Sequence, residues 1–172
     1  MKYKNYIFDL YGTLIDIKTD ESQRKLWDFS ALFYSENGAG YSSAELRKRY
    51  KELCTAEQEK HRDLLYEIDL RRIFRTLYKE KGINPSKQLV DDTAVAFRIY
   101  SNKKMRLYPW VLPFFEWVRN SGGRLYLLSN AQECFTVPEL KVLGLYDRFD
   151  GIVISSCVRI KKQDRRIMDA LT

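Results

Sequence analysis

The sequence predicts an α/β fold, a parallel-sheet core whose chain is interrupted by an inserted all-helical unit. Three observations point there. Tyr6, Ile7 and Phe8 form an aromatic and β-branched run that stops on Asp9 and is followed by Gly12 and Thr13, the pattern of a buried strand that delivers a carboxylate at its C-terminal end. Arg124-Leu125-Tyr126-Leu127-Leu128 is a second continuous apolar run, ending on Ser129-Asn130, as parallel strands buried on both faces do. Between these runs, residues 17–105 repeat apolar side chains at three- and four-residue spacing, the period of helices.

A chain of 172 residues suits one domain, or a small core with an inserted lobe. Hydrophobic residues make up 45% and charged residues 31%, which is enough apolar material for a core and excludes a disordered chain. No apolar run approaches the ~20 residues of a membrane span. Met1-Lys2-Tyr3-Lys4-Asn5 leads straight into a strand without a signal-peptide core, so a cytoplasmic protein without membrane contact is expected. Cys54, Cys134 and Cys157 follow no metal or redox spacing and read as free thiols. His61 is the single histidine, set in the charged segment Glu59-Lys60-His61-Arg62-Asp63. One histidine, with neither a His-Glu-x-x-His pair nor a serine elbow, excludes zinc hydrolysis and histidine-activated nucleophiles. The net charge of +7 raises nucleic acid as a partner. Basic residues are interspersed with acids along the helices, however, and concentrate only at Arg159, Lys161, Lys162, Arg165 and Arg166, so no nucleic-acid partner is expected.

Taken in order, Ile17-Lys18-Thr19-Asp20 reads as a linker whose Thr and Asp suit a helix N-cap. Leu26, Phe29, Leu32 and Phe33 mark a first helix ending near Asn37-Gly38. Ser43-Ala44-Glu45 opens a charged second helix with Leu46, Tyr50, Leu53 and Cys54 on one side. Leu64, Leu65, Ile68, Ile73, Phe74 and Leu77 mark a third, stopped by Gly82 and Pro85, and residues 86–103 a fourth. Core packing accounts for these aromatic stripes. The chain then re-enters the core. Val111 to Asn120 reads as a helix stopped at Ser121-Gly122-Gly123, Pro138 to Leu143 as a helix closed by Gly144, and Gly151 to Ser156 as a third strand.

Asp9-Leu10-Tyr11-Gly12-Thr13-Leu14 resembles the first motif of the haloacid dehalogenase-like (HAD) hydrolase superfamily. The resemblance continues in order: Ser129 at the end of a strand matches the second motif, and Lys162-Gln163-Asp164 matches the third, with Gln163 where proline is usual. It implies a HAD-like three-layer core formed by residues 1–16 and 106–172, truncated after the third motif, with a helical cap of the first subfamily over residues 17–105. It also implies roles. Asp9 is the covalent nucleophile, Thr13 and Ser129 orient it and bind the developing oxyanion, and Lys162 is the charge partner, with Lys161 as the alternative in a shifted register. Tyr11, Gly12, Ser129, Asn130 and Lys162 line the substrate. Asp9 and the Tyr11 backbone carbonyl would bind Mg²⁺, although the carboxylates of the fourth motif are absent. The implied substrate is a small anionic molecule.

Tyr11 stands where phosphomonoesterases of the superfamily carry a second Asp and dehalogenases carry Tyr. Dehalogenases also use an early cap arginine, for which only Arg47 or Arg49 is near. The expected activity is therefore Mg²⁺-dependent phosphomonoester hydrolysis, with metal-free 2-haloacid dehalogenation and a non-catalytic truncated scaffold as alternatives. Truncation also predicts an unpaired apolar edge on the strand that bears Asp9.

Overall fold

A computed structural model describes residues 3–61 and 65–170. The chain divides into two compact units, residues 1–18 with 104–172, and residues 19–103.

In the first unit a three-stranded parallel sheet has the order β1 (Asn5–Phe8), β4 (Arg124–Ser129), β5 (Gly151–Ile154). Tyr6 pairs with Leu125 and Phe8 with Leu127, while Leu127 pairs with Ile152 and Ser129 with Ile154. This register brings the C-terminal ends of all three strands to one rim. β1 lies at the sheet edge, and Ile7 is 49% exposed there.

Strand alternation divides the apolar residues between two faces. Leu125 and Leu127 join Leu10, Leu14, Val111, Phe115 and Leu140 in the main core. Leu128 turns the other way, to Val153 and Ile167. Helix α5 (Val111–Asn120) supplies Phe115, whose ring lies 5.4 Å from that of Phe8. Removing each such side chain from water contributes about 1.5–3 kcal/mol, which fixes β1 and hence the position of Asp9.

Helix α6 (Glu133–Val142) starts five residues earlier than Pro138, which lies inside it. Proline favours a helix start, but burial of Cys134, Phe135 and Thr136 extends the helix before it. Ser155 and Ser156 are likewise not strand. They open the short helix α7 (Ser155–Val158), and their hydroxyls bond the loop after β4.

The second unit packs helices α1 (Arg24–Glu36), α2 (Ser43–Lys60), α3 (Leu70–Glu80) and α4 (Lys87–Ser101). Ser42, Asp69 and Ser86 cap α2, α3 and α4 by accepting from Glu45 N, Arg71 N and Leu89 N. Buried Tyr34, Phe74, Tyr78 and Phe97 form its interior. Two tyrosines are wired to the backbone, Tyr34 donating to Phe74 O at 3.1 Å and Tyr41 to Leu77 O at 2.7 Å, while the Tyr78 hydroxyl meets Thr93 Oγ1 at 3.1 Å. Burial pushes the Tyr41 hydroxyl up to about 12 and the Cys54 thiol up to about 11. Leu65 and Ile68 precede α3 rather than forming part of it, and Leu64 lies outside the described residues.

The expected linker is instead strand β2 (Ile15–Thr19), paired with β3 (Asn102–Leu107). Backbone pairing between two sequence-distant segments overrides the local capping signal, and α1 begins after Gln23. Asp20 forms a tight turn instead, accepting from Ser22 N at 2.9 Å. The fourth helix accordingly ends at Ser101, where β3 takes over. No described helix is long and apolar enough to cross a membrane.

Candidate active site

Asp9 follows directly on β1, so the strand's packing sets its position. The next turn is tight: Leu10 O accepts from Thr13 N, Leu14 N and Ile15 N, and Gly12 has φ of 77°. A side chain would be strained at that φ, which explains the glycine.

Two groups meet the Asp9 carboxylate. Ser129, buried at the end of β4, donates from Oγ to Asp9 Oδ1 at 3.1 Å. Lys162 Nζ lies 3.1 Å from the same oxygen, both side chains being about one-third exposed at 35% and 32%. Both contacts fall on Oδ1, and they leave the Asp9 side chain about one-third exposed.

Lys162 owes its placement to Asn130. The Asn130 Oδ1 accepts from Lys162 N at 2.7 Å, and its Nδ2 donates to Gln163 Oε1 at 3.1 Å. The side chain of Asn130 therefore ties down the lysine loop. That loop leaves α7 through Arg159, whose φ of 60° is left-handed, a cost that surrounding contacts must offset. It closes at Asp164, where the Arg166 guanidinium holds the carboxyl down to about 2 and the carboxylate accepts from Arg166 N at 3.0 Å. Asp164 thus caps a 3₁₀ turn, Arg165–Ala170.

Ser155 and Ser156 fix the segment that follows Ser129 and carries Asn130. Ser155 Oγ accepts from Ala131 N at 2.9 Å and Ser156 Oγ accepts from Glu133 N at 2.8 Å. Both serines are buried. Sequence reasoning placed them in a strand and missed this role, for which a Ser-Ser pair just past a strand end is the available signal.

The other expected site residues divide. Gly12 lies in the turn beside Asp9, and Thr13 is half-buried there with no hydrogen bond to Asp9 among the described residues. The Tyr11 hydroxyl donates to Glu139 Oε2 at 2.5 Å and lies 3.0 Å from Thr136 Oγ1, both on α6. The ion pair to Asp9 is made by Lys162, and Lys161 O instead accepts from Asp164 N at 2.9 Å. In the helical unit, Arg49 is held by Glu80 and Glu52, while Arg47 lines a groove of about 440 Å³ with Arg24, Trp27, Asp28 and Ser43.

For Mg²⁺ the donors expected of this chain are Asp9 and the Tyr11 carbonyl. Among the described residues no group of three His, Cys, Asp or Glu is placed to hold a metal, and Asp9 Oδ1 already takes a cation and a hydroxyl. One carboxylate and one carbonyl fall short of a protein-built site, so no step below is routed through a metal.

The family model for haloacid dehalogenase-like hydrolases matches residues 3–171. Among solved structures, L-2-haloacid dehalogenase from Xanthobacter autotrophicus is 20% identical with a TM-score of 0.44, covering 96% of this chain and 62% of that one. A HAD phosphatase from Thermococcus onnurineus is 20% identical with a TM-score of 0.49, covering 96% and 68%. The chain thus spans less than two thirds of the length of that dehalogenase. No curated protein sequence matches it.

Proposed function

Because the chain belongs to the haloacid dehalogenase-like hydrolase family, we propose that it hydrolyses a small anionic substrate through a covalent intermediate on Asp9, an acyl phosphate or an ester. The observation that carries this reading is the part-exposed Asp9 carboxylate with Lys162 and Ser129 on one oxygen. In this reading residues 17–105 act as the substrate-selecting cap of a core formed by residues 1–16 and 106–172.

With a phosphomonoester, Asp9 Oδ2 bonds to phosphorus as the bond to the leaving oxygen breaks, and that oxygen departs with the electron pair. Lys162 offsets the charge of the incoming anion and of the carboxylate. Ser129 keeps the carboxylate oriented, which is the entropic part of the rate. Water then bonds to phosphorus, Asp9 regains its electron pair, and the water proton passes to solvent. The resemblance adds Mg²⁺, whose chemistry would be to polarise the phosphoryl oxygens.

A 2-haloacid is the second reading, favoured by Tyr11 being engaged by Glu139 and Thr136. There Asp9 bonds to carbon, halide departs, and water cleaves the resulting ester. Incubation of the full chain with nitrophenyl phosphate and Mg²⁺, and with 2-chloropropionate alone, separates the two. Asp9→Asn is expected to abolish both turnover and covalent labelling, a loss on the order of 10⁴-fold or more. Full activity in that variant refutes the assignment.

A further inference from the structure

We propose that Gln163 is a positioning residue for this site, one whose side-chain carbonyl locks the amide of Asn130 and through it sets the point from which Lys162 reaches toward Asp9. The proposal rests on the aspartate-nucleophile reading. It concerns a residue whose one hydrogen bond among the described residues goes to Asn130 and not to Asp9 or to the lysine ammonium.

Lys161 O accepts from Asp164 N at 2.9 Å, so residues 161–164 close a β-turn with Lys162 and Gln163 at its two central positions. Both corners of that turn are held by a single side chain. Asn130 Oδ1 accepts from Lys162 N at 2.7 Å, and Asn130 Nδ2 donates to Gln163 Oε1 at 3.1 Å. A carboxamide has an accepting end and a donating end. The Lys162 N–H fixes the accepting end alone, a single point about which the amide can turn. Gln163 adds a second point that only the donating end can serve, and the plane of the amide is then determined. Asn130 is half-buried and Gln163 exposed, so water competes for both bonds, and the second contact governs how persistently the first is made.

The amide also closes a ring of contacts. Ser129, the residue before Asn130, donates to Asp9 Oδ1 at 3.1 Å, and Lys162 Nζ lies 3.1 Å from the same oxygen. From Asp9 the ring runs through Ser129, across the peptide bond to Asn130, through its amide to the Lys162 backbone and back along the lysine side chain. The last link is the loose one, because the lysine stem is long and flexible. It keeps Nζ at Asp9 only while its backbone end stays in place. A displacement of about 1 Å at a reacting group costs on the order of 10²-fold in rate. Gln163 guards against that displacement from outside the ring, and its exposure means that its removal is expected to spare the fold.

Two measurements on the full chain test this, the first independent of any activity. The exchange of the Lys162 amide proton with water, read by NMR, is expected to quicken about tenfold in Gln163→Leu, which removes the acceptor, with the unfolding midpoint unchanged. An unaltered exchange rate overturns the clasp. The second measurement is kcat and KM with nitrophenyl phosphate and Mg²⁺ and with 2-chloropropionate. On whichever compound is turned over, Gln163→Leu should lower kcat about tenfold with KM within about twofold of the wild type. Gln163→Glu, which keeps an acceptor for Asn130 Nδ2, should restore kcat to within about threefold. In an Asn130→Ala background, Gln163→Leu should have no further effect. A loss carried by KM, an equal loss of kcat in the Leu and Glu variants, or a loss that persists without Asn130 overturns positioning through Asn130. Faster exchange at Lys162 in Gln163→Leu, with neither compound turned over by the wild type, supports the clasp and overturns the hydrolase reading.

Discussion

The sheet unit and the helical unit use polar side chains in opposite ways. In the helical unit they tie helices to one another and to their caps: a serine caps a helix, a tyrosine bonds a carbonyl, and Arg49 bridges Glu80 and Glu52 at the surface. In the sheet unit they converge, with Ser129, Asn130, Lys162, Ser155 and Ser156 forming a connected set around one carboxylate. The groups of the helical unit serve the fold they sit in. In the reading proposed above, a connected set at aligned strand ends around a part-exposed carboxylate is arranged for a ligand. Substitutions in the two units should accordingly separate stability from activity.

The largest separation is expected from Phe74→Ala. Phe74 is 1% exposed and its ring lies 5.4 Å from that of Phe97, so truncation should cost about 3–5 kcal/mol, read by denaturant unfolding. A loss under about 1 kcal/mol would mean that the helical interior is not cooperatively packed. Lys162→Ala should do the reverse. It removes the cation at Asp9 and is expected to lower kcat/KM by about 10²–10³-fold. The midpoint of unfolding should scarcely move, because partly exposed ion pairs contribute little to stability. If Lys162→Ala instead destabilises without affecting turnover, the contrast between the units fails.

Asn130→Ala sharpens the comparison inside the sheet unit. It leaves Lys162 present but releases the loop that delivers it, so kcat should fall by roughly 10–10²-fold. Lys162→Ala in that background should then cost less than it does alone. Independent effects would show that Asn130 acts on the substrate rather than through the loop.

The smallest effect concerns acid stability. The Arg119 guanidinium, aided by Leu125 N–H, holds the Asp150 carboxyl below its ordinary range. A carboxyl depressed in the folded state contributes stability above its unfolded pKa of about 3.9 and loses it as pH falls through the folded value. Arg119→Leu should therefore lower the unfolding midpoint slightly near neutrality, and the gap to the wild type should close below about pH 4. A gap that persists at low pH would assign the role of Arg119 to packing instead.

Much of this arrangement is legible in the sequence because strand ends are. The run Tyr6-Ile7-Phe8 before Asp9, and Leu125 to Leu128 before Ser129, each fix by period and composition where a polar group leaves a strand, although only β4 is buried and β1 is a part-exposed edge strand. Gly12 and the stops at Gly38 and Gly122 are local conformational requirements, as their positive φ values show. The helical periodicity of the inserted region is local in the same sense. The resemblance to the family's ordered motifs then singles out Asp9, Ser129 and Lys162 as candidates without specifying a single contact.

Contacts came from tertiary structure alone. The pairing of β2 with β3 overrode a local capping signal at Thr19 and Asp20. Burial drew α6 across Pro138 and put Glu139 and Thr136 under Tyr11, although 128 and 125 residues separate them in the chain. Asn130, which sequence reasoning assigned to substrate, also accepts from the backbone of Lys162. The physical reason is common to all three. Secondary structure follows from interactions over a few residues, whereas the partner of a hydroxyl or carboxylate depends on which distant segments the core brings within about 3 Å.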